Sequence, residues 1–163
     1  MSQTIRKILV PTDFSAVAVN ALDHAITLAQ HSEAEVFLLH VVGKQSDVED
    51  ARKQLDAIIG NASSKAGSVR LNKLVRVGSI YEDIGDAAAE IDASLIVMGT
   101  HGMRGMQFLT GSRALRVITS SPVPFIVVQE RSIKANGYDS IVVPLDLHKE
   151  TRQKLTMVAD MAK

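Results

Sequence analysis

The sequence contains no cysteine. That excludes disulfides, zinc thiolates, iron–sulfur clusters and cysteine nucleophiles together. It contains no tryptophan, and aromatic residues make up only 4% of it, too few to line a stacking platform for single-stranded nucleic acid. Neither sign of charge is in excess, since 18 Lys and Arg face 18 Asp and Glu. No overall field draws the chain to nucleic acid or to an anionic membrane. Long apolar runs are missing as well. The apolar stretch at residues 8–10 is far shorter than a signal-peptide core and meets Pro11 and Asp13 at once. No window approaches the roughly 18 apolar residues of a membrane helix. A cytoplasmic protein is expected, with neither membrane nor nucleic acid as partner.

The 163 residues that remain are 46% hydrophobic and 22% charged, which is enough apolar material for one domain with a real core. Short apolar runs alternate with helical spacing. Residues 8–10 read as a buried strand stopped by Pro11, and Ser15 is placed to cap the helix that follows. In that helix Ala18, Leu22, Ala25, Ile26 and Ala29 share one face. Glu35–Val42 is a second strand and Val48–Ala66 a more polar helix with Leu55, Ile58, Ile59 and Ala62 inward. Leu71–Val77 reads as an edge strand, 80–91 as a helix, 95–98 as a buried strand, 112–119 as a helix and Phe125–Val128 as a last apolar strand. Such alternation, with continuous apolar strands, predicts an α/β domain with a doubly wound, parallel five-stranded sheet in the order 3-2-1-4-5 and helices on both faces.

Residues 8–13, ILVPTD, recur as residues 141–146, IVVPLD. Leu22, Ala25 and Ala29 meet Leu155, Val158 and Ala162 at the same offset. The predicted organisation is one whole domain over residues 1–130, a polar linker at 131–138, and a partial second repeat at 139–163. That partial repeat holds a first strand (Ile141, Val142, Val143) and a first helix only. Asp146 stands where Asp13 does in the whole domain.

The segment 99–112, GTHGMRGMQFLTGS, carries four glycines, which let a backbone turn sharply and approach a ligand closely. Gly111 and Ser112 open a predicted helix, whose free N–H groups and dipole favour phosphate. Arg104 or Arg113 supplies countercharge and His101 a further donor. The alternative is a surface loop before an ordinary serine cap, with the His101 ring in solvent. In the expected order the loops after strands 1 and 4 flank the point where strand order reverses, where such sheets take ligands. Asp13 can accept from an exocyclic amine there, or can cap the first helix in competition with Ser15. His40, in the second strand, reads as a hydrogen-bonded structural group. The five histidines show no metal spacing, and no phosphate-loop lysine or nucleophile elbow occurs.

ILVPTDFS near the start, LLHV at 38–41, LIVMGTHG through GS at 95–112, and the PVPFIVV that follows resemble the universal stress protein family across residues 5–130. The resemblance implies a Rossmann-like fold of the adenine nucleotide alpha hydrolase-like kind, a homodimer joined through Phe125–Val128, and ATP, with or without Mg2+, as ligand. Asp13 and the Val41 backbone would hold adenine, with Pro11 and Thr12 lining the wall. Gly99, Gly102, Gly111 and Ser112, with the Arg113 amide, would hold ribose and phosphates. Eight residues separate Gly102 from Gly111 where the ATP-binding pattern has nine. Two functions therefore stand side by side: a stress-response regulatory module that binds ATP without efficient catalysis, and a nucleotide-independent dimerisation protein of the same fold. An enzymatic reading comes last, because PTDFSAV lacks the loop of an adenylating enzyme and no general base is evident.

Overall fold

A computed structural model describes residues 6–99 and 121–143, together with the single positions 118, 155, 158, 159 and 162. Its strands are β1 (Lys7–Pro11), β2 (Glu35–Val42), β3 (Leu71–Val77), β4 (Leu95–Gly99) and β5 (Phe125–Val128); its helices are α1 (Ala16–Ser32), α2 (Val48–Ala66) and α3 (Ile80–Glu90). All strand pairs are parallel, in the order β3-β2-β1-β4-β5. This is the doubly wound α/β sheet that the alternating pattern predicts.

Side-chain alternation along the strands divides the core in two. Ile8 and Val10 of β1 face one layer, where Leu22 and Ile26 of α1 and Leu55 of α2 meet them. Leu9 faces the other layer with Leu39 and Ile96, covered by Ile84, Ala87 and Ala88 of α3. Both faces of β1 are therefore dry, which is why its apolar run is unbroken. Leu55 is the one large side chain that α2 buries completely. Truncating it to alanine would cost about 2–5 kcal/mol. The outer edge at β3 is more polar: Lys73 pairs with Asp56 of α2, and Arg76 with Asp83 and Glu90 of α3. Charges of this kind protect an open edge from further pairing.

Two boundaries differ from the sequence reading. Pro11 belongs to β1 instead of stopping it. The β1–β4 pairing ends at Leu9 and Ile96, while the ladder toward β2 continues through the Thr12 N–H to the Leu39 carbonyl at 2.8 Å. The missing proline N–H therefore falls where no ladder bond is needed. Residues 141–143, expected as a strand, lie outside the sheet, and Val142 is 89% exposed. The chain after β5 is instead drawn toward α1. Asn20 donates to the carbonyls of Gln129 and Arg131 at 2.7 and 3.0 Å. Buried His24, one turn on, bonds the Arg131 carbonyl and the Tyr138 hydroxyl, each at 3.0 Å. A hollow of about 650 Å3 opens between this segment and β5. Of the predicted helix at 112–119 only Ile118 is described, and it is helical. Leu155, Val158 and Ala159 are helical too.

Candidate functional site

The reversal of strand order falls between β1 and β4. The β1–β4 register ends at Leu9 and Ile96, so Pro11–Ser15 and Gly99 follow the two strands at the carboxyl end of the sheet, on either side of the reversal. Open parallel sheets bind ligands in the crevice at such a point.

The first wall of the crevice is a tightly bonded turn. Thr12 is buried, and its hydroxyl accepts from the Phe14 N–H at 3.0 Å. Asp13 is exposed, and its Oδ1 accepts from the Ser15 N–H at 3.0 Å. Ser15 is the N-cap of α1, its hydroxyl accepting from the Ala18 N–H at 3.3 Å. Asp13 thus supports the cap without being it. Its second carboxylate oxygen is the group this turn offers to a donor. Phe14 takes φ 66°, a left-handed conformation uncommon for a bulky side chain. Its ring lies 4.2 Å, centroid to centroid, from that of His40. His40 Nδ1 is 2.7 Å from the Thr12 carbonyl. A carbonyl only accepts, so Nδ1 carries the proton and donates. The structural role expected of His40 is present, with a named partner.

Val41 lies on β2 two residues beyond Leu39, the register partner of Pro11, and packs on the α3 side of the sheet. Gly99 forms the opposite wall. A side chain there would place its Cβ 2.5 Å from the Val17 carbonyl oxygen and 2.7 Å from its carbon. The end of β4 therefore lies directly against the first turn of α1, and only glycine permits this. His101, Gly102, Arg104, Gly111, Ser112 and Arg113 lie outside the described residues. The structure brings Pro11, Thr12, Asp13, Val41 and Gly99 to one end of the sheet.

Sequence reasoning missed the Phe14–His40 stack and the Asn20, His24 and Tyr138 contacts. A left-handed aromatic has no sequence signature. The spacing of Asn20 and His24, four apart on one helical face, was the available signal for the second group. Tyr138, packed against His24 at 5.8 Å between ring centroids, has its phenol pKa raised by burial.

The fold defines an open parallel α/β protein whose strand order reverses between β1 and β4. Comparison with known sequences is more specific: the model of the universal stress protein family matches residues 4–129. Universal stress protein MJ0531 of Methanocaldococcus jannaschii is 31% identical over 140 residues, covering 77% of this chain and 82% of its own. Protein MJ0577 of the same organism, whose structure is solved, superimposes with a TM-score of 0.65 at 29% identity, covering 79% of this chain and 99% of its own. The universal stress protein of Archaeoglobus fulgidus, solved in complex with dAMP, superimposes with a TM-score of 0.61 at 26% identity, covering 77% and 99%. The chain belongs to the universal stress protein family. Among the described residues no helix is long and apolar enough to cross a membrane.

Proposed function

We propose that this chain is a stress-response regulatory protein that binds an adenine nucleotide, ATP in particular, in the crevice between the loops after β1 and β4. The observation that carries the reading is the juxtaposition of the Asp13 turn with Gly99 across the switch point. A relative of the same fold solved with dAMP makes an adenylate the natural ligand class. Asp13 accepts from the exocyclic amine of adenine beside Pro11, Thr12 and the Val41 backbone. Gly99, Gly102, Gly111, Ser112 and the Arg113 amide take ribose and phosphates, with His101 and Arg104 as further donors. Mg2+ accompanies the phosphates and neutralises part of their charge. Turnover is slow, because Asp13 is engaged in holding the α1 cap and no other base is supplied from the described walls.

The chain acts as a homodimer joined through the exposed edge of β5, where Val127 is 47% exposed. An unpaired apolar edge is sticky, and pairing with its twin satisfies it. Residues 139–163 form a partial second repeat.

The eight-residue spacing between Gly102 and Gly111 favours a second reading, in which the fold serves dimerisation alone. Mass spectrometry of small molecules released when the purified protein is denatured separates the two. An adenine nucleotide in the released fraction, absent from Asp13→Ala and Gly111→Val, supports binding. A wild-type protein that releases none, and takes none up from millimolar ATP, supports the dimerisation reading.

A further inference from the structure

The Asp13 turn is held at both ends by a single side chain. Before Asp13, the Thr12 carbonyl accepts from His40 Nδ1 at 2.7 Å. After it, the left-handed Phe14 lays its ring against the same imidazole, 4.2 Å away and inclined by 35°. The turn's other bonds lie within residues 12–15 or tie Ser15 to the first turn of α1, except the Thr12 N–H bond to Leu39, the strand neighbour of His40. β2 therefore fixes where the turn stands, and His40 fixes how it is bent. Asp13 itself is exposed and has no packing of its own to hold it.

We propose that His40 is the positioning residue of the nucleotide site. Its Nδ1–H and its ring face together hold Thr12 and Phe14 so that the Asp13 carboxylate is already aimed at the adenine amine before ligand arrives. This rests on the adenine-nucleotide reading of the crevice. A preorganised acceptor avoids the ordering cost that a loose turn would incur on binding. The two parts of the grip are separable by chemistry. Asparagine places an amide N–H near the position of Nδ1, glutamine extends its amide toward the position of Nε2, and phenylalanine keeps the ring while removing the donor.

The test compares His40→Asn, His40→Gln and His40→Phe with wild type, by residue-resolved amide exchange without ligand and by titration with ATP. Protection of the Phe14 and Ser15 amides should fall least in His40→Asn, which keeps the donor and loses only the ring, and by about fivefold or more in His40→Gln and His40→Phe, with the β2 amides unchanged as a check on folding. ATP affinity should follow the same order, with His40→Asn within about threefold of wild type. In the His40→Phe background, Asp13→Ala should weaken binding by much less than it does in wild type, because the two residues act through one carboxylate. Equal protection and affinity in all three variants overturns the proposal. So does failure of His40→Asn to rescue, or additive effects of His40→Phe and Asp13→Ala. If wild type takes no adenine nucleotide, the nucleotide reading fails by itself, and the exchange data alone decide whether His40 holds the turn.

Discussion

Replacing Gly99 with alanine tests how closely the two walls of the crevice are joined. The new Cβ would stand 2.5 Å from the Val17 carbonyl oxygen, 2.7 Å from its carbon and 3.0 Å from the Ala18 nitrogen. All three atoms belong to the backbone of α1, so no side chain can swing aside. The first turn of α1 must retreat by about half an ångström merely to bring the closest contact to 3.0 Å. That turn carries the Ser15 cap and, through it, the Asp13 bond. Overpacking of this kind costs about 1–3 kcal/mol, and a domain of this size loses about 2–4 °C of Tm per kcal/mol. Thermal unfolding followed by circular dichroism should show a drop of about 2–12 °C. Gly60→Ala is the control. It lies inside α2 with nothing within 4 Å of the added carbon, and replacing a mid-helix glycine should raise stability by about 0.5–1 kcal/mol. A Gly99→Ala protein that melts within about a degree of wild type would refute the close approach, and with it the geometry of the crevice.

Other perturbations read other parts of the molecule. Ser15→Ala removes the N-cap of α1 and should cost about 1 kcal/mol in urea unfolding; an unchanged midpoint contradicts the cap. Tyr138→Phe removes the hydroxyl bonded to His24 and should speed limited proteolysis after β5 while leaving the sheet intact; an unaltered cleavage rate contradicts the contact. The phenol of Tyr138 has a pKa above its ordinary 10.0 because of burial. Its neutral form is the one the fold favours, so the stabilisation is full below about pH 10 and is lost as pH rises through the higher folded value. Alkaline loosening of the segment after β5 should be absent in Tyr138→Phe. Light scattering at micromolar concentration should give the mass of a dimer, and a monomer mass rejects pairing through β5. Deleting residues 134–163 should lower the melting temperature, since Tyr138 goes with them; a truncated protein with unchanged Tm and oligomeric state shows the segment to be unattached.

The sheet was legible because β1, β2, β4 and β5 are nearly continuous apolar runs and the helices between them keep a one-sided apolar spacing. β3 was legible as an edge because its apolar residues are interleaved with Lys73 and Arg76, and those two charges meet α2 and α3 outside the sheet. Pro11 misled for a directional reason. Proline forbids a donor on one side of a strand only, and sequence does not say which side is already unpaired. Residues 141–143 misled because a copy of a strand motif carries no partner with it, whereas Asn20 and His24 engage the chain after β5 before it could reach another strand. In the crevice, Asp13 and Gly99 stood out by residue type and position. Gly99 was read as a close approach to ligand, while the atoms it approaches in the fold are those of Val17. Phe14 did not stand out, since the His40 ring it lies against is 26 residues away in the chain.

The central claim is that the Asp13 turn and the glycine loop form one adenine-nucleotide site, and titration calorimetry measures it most directly. ATP should bind wild type with one site per chain, with and without Mg2+. Asp13→Ala should bind more weakly and lose its preference for adenine over guanine nucleotides. No heat from wild type at millimolar ATP in either condition, or an Asp13→Ala protein with unaltered affinity and preference, would contradict it.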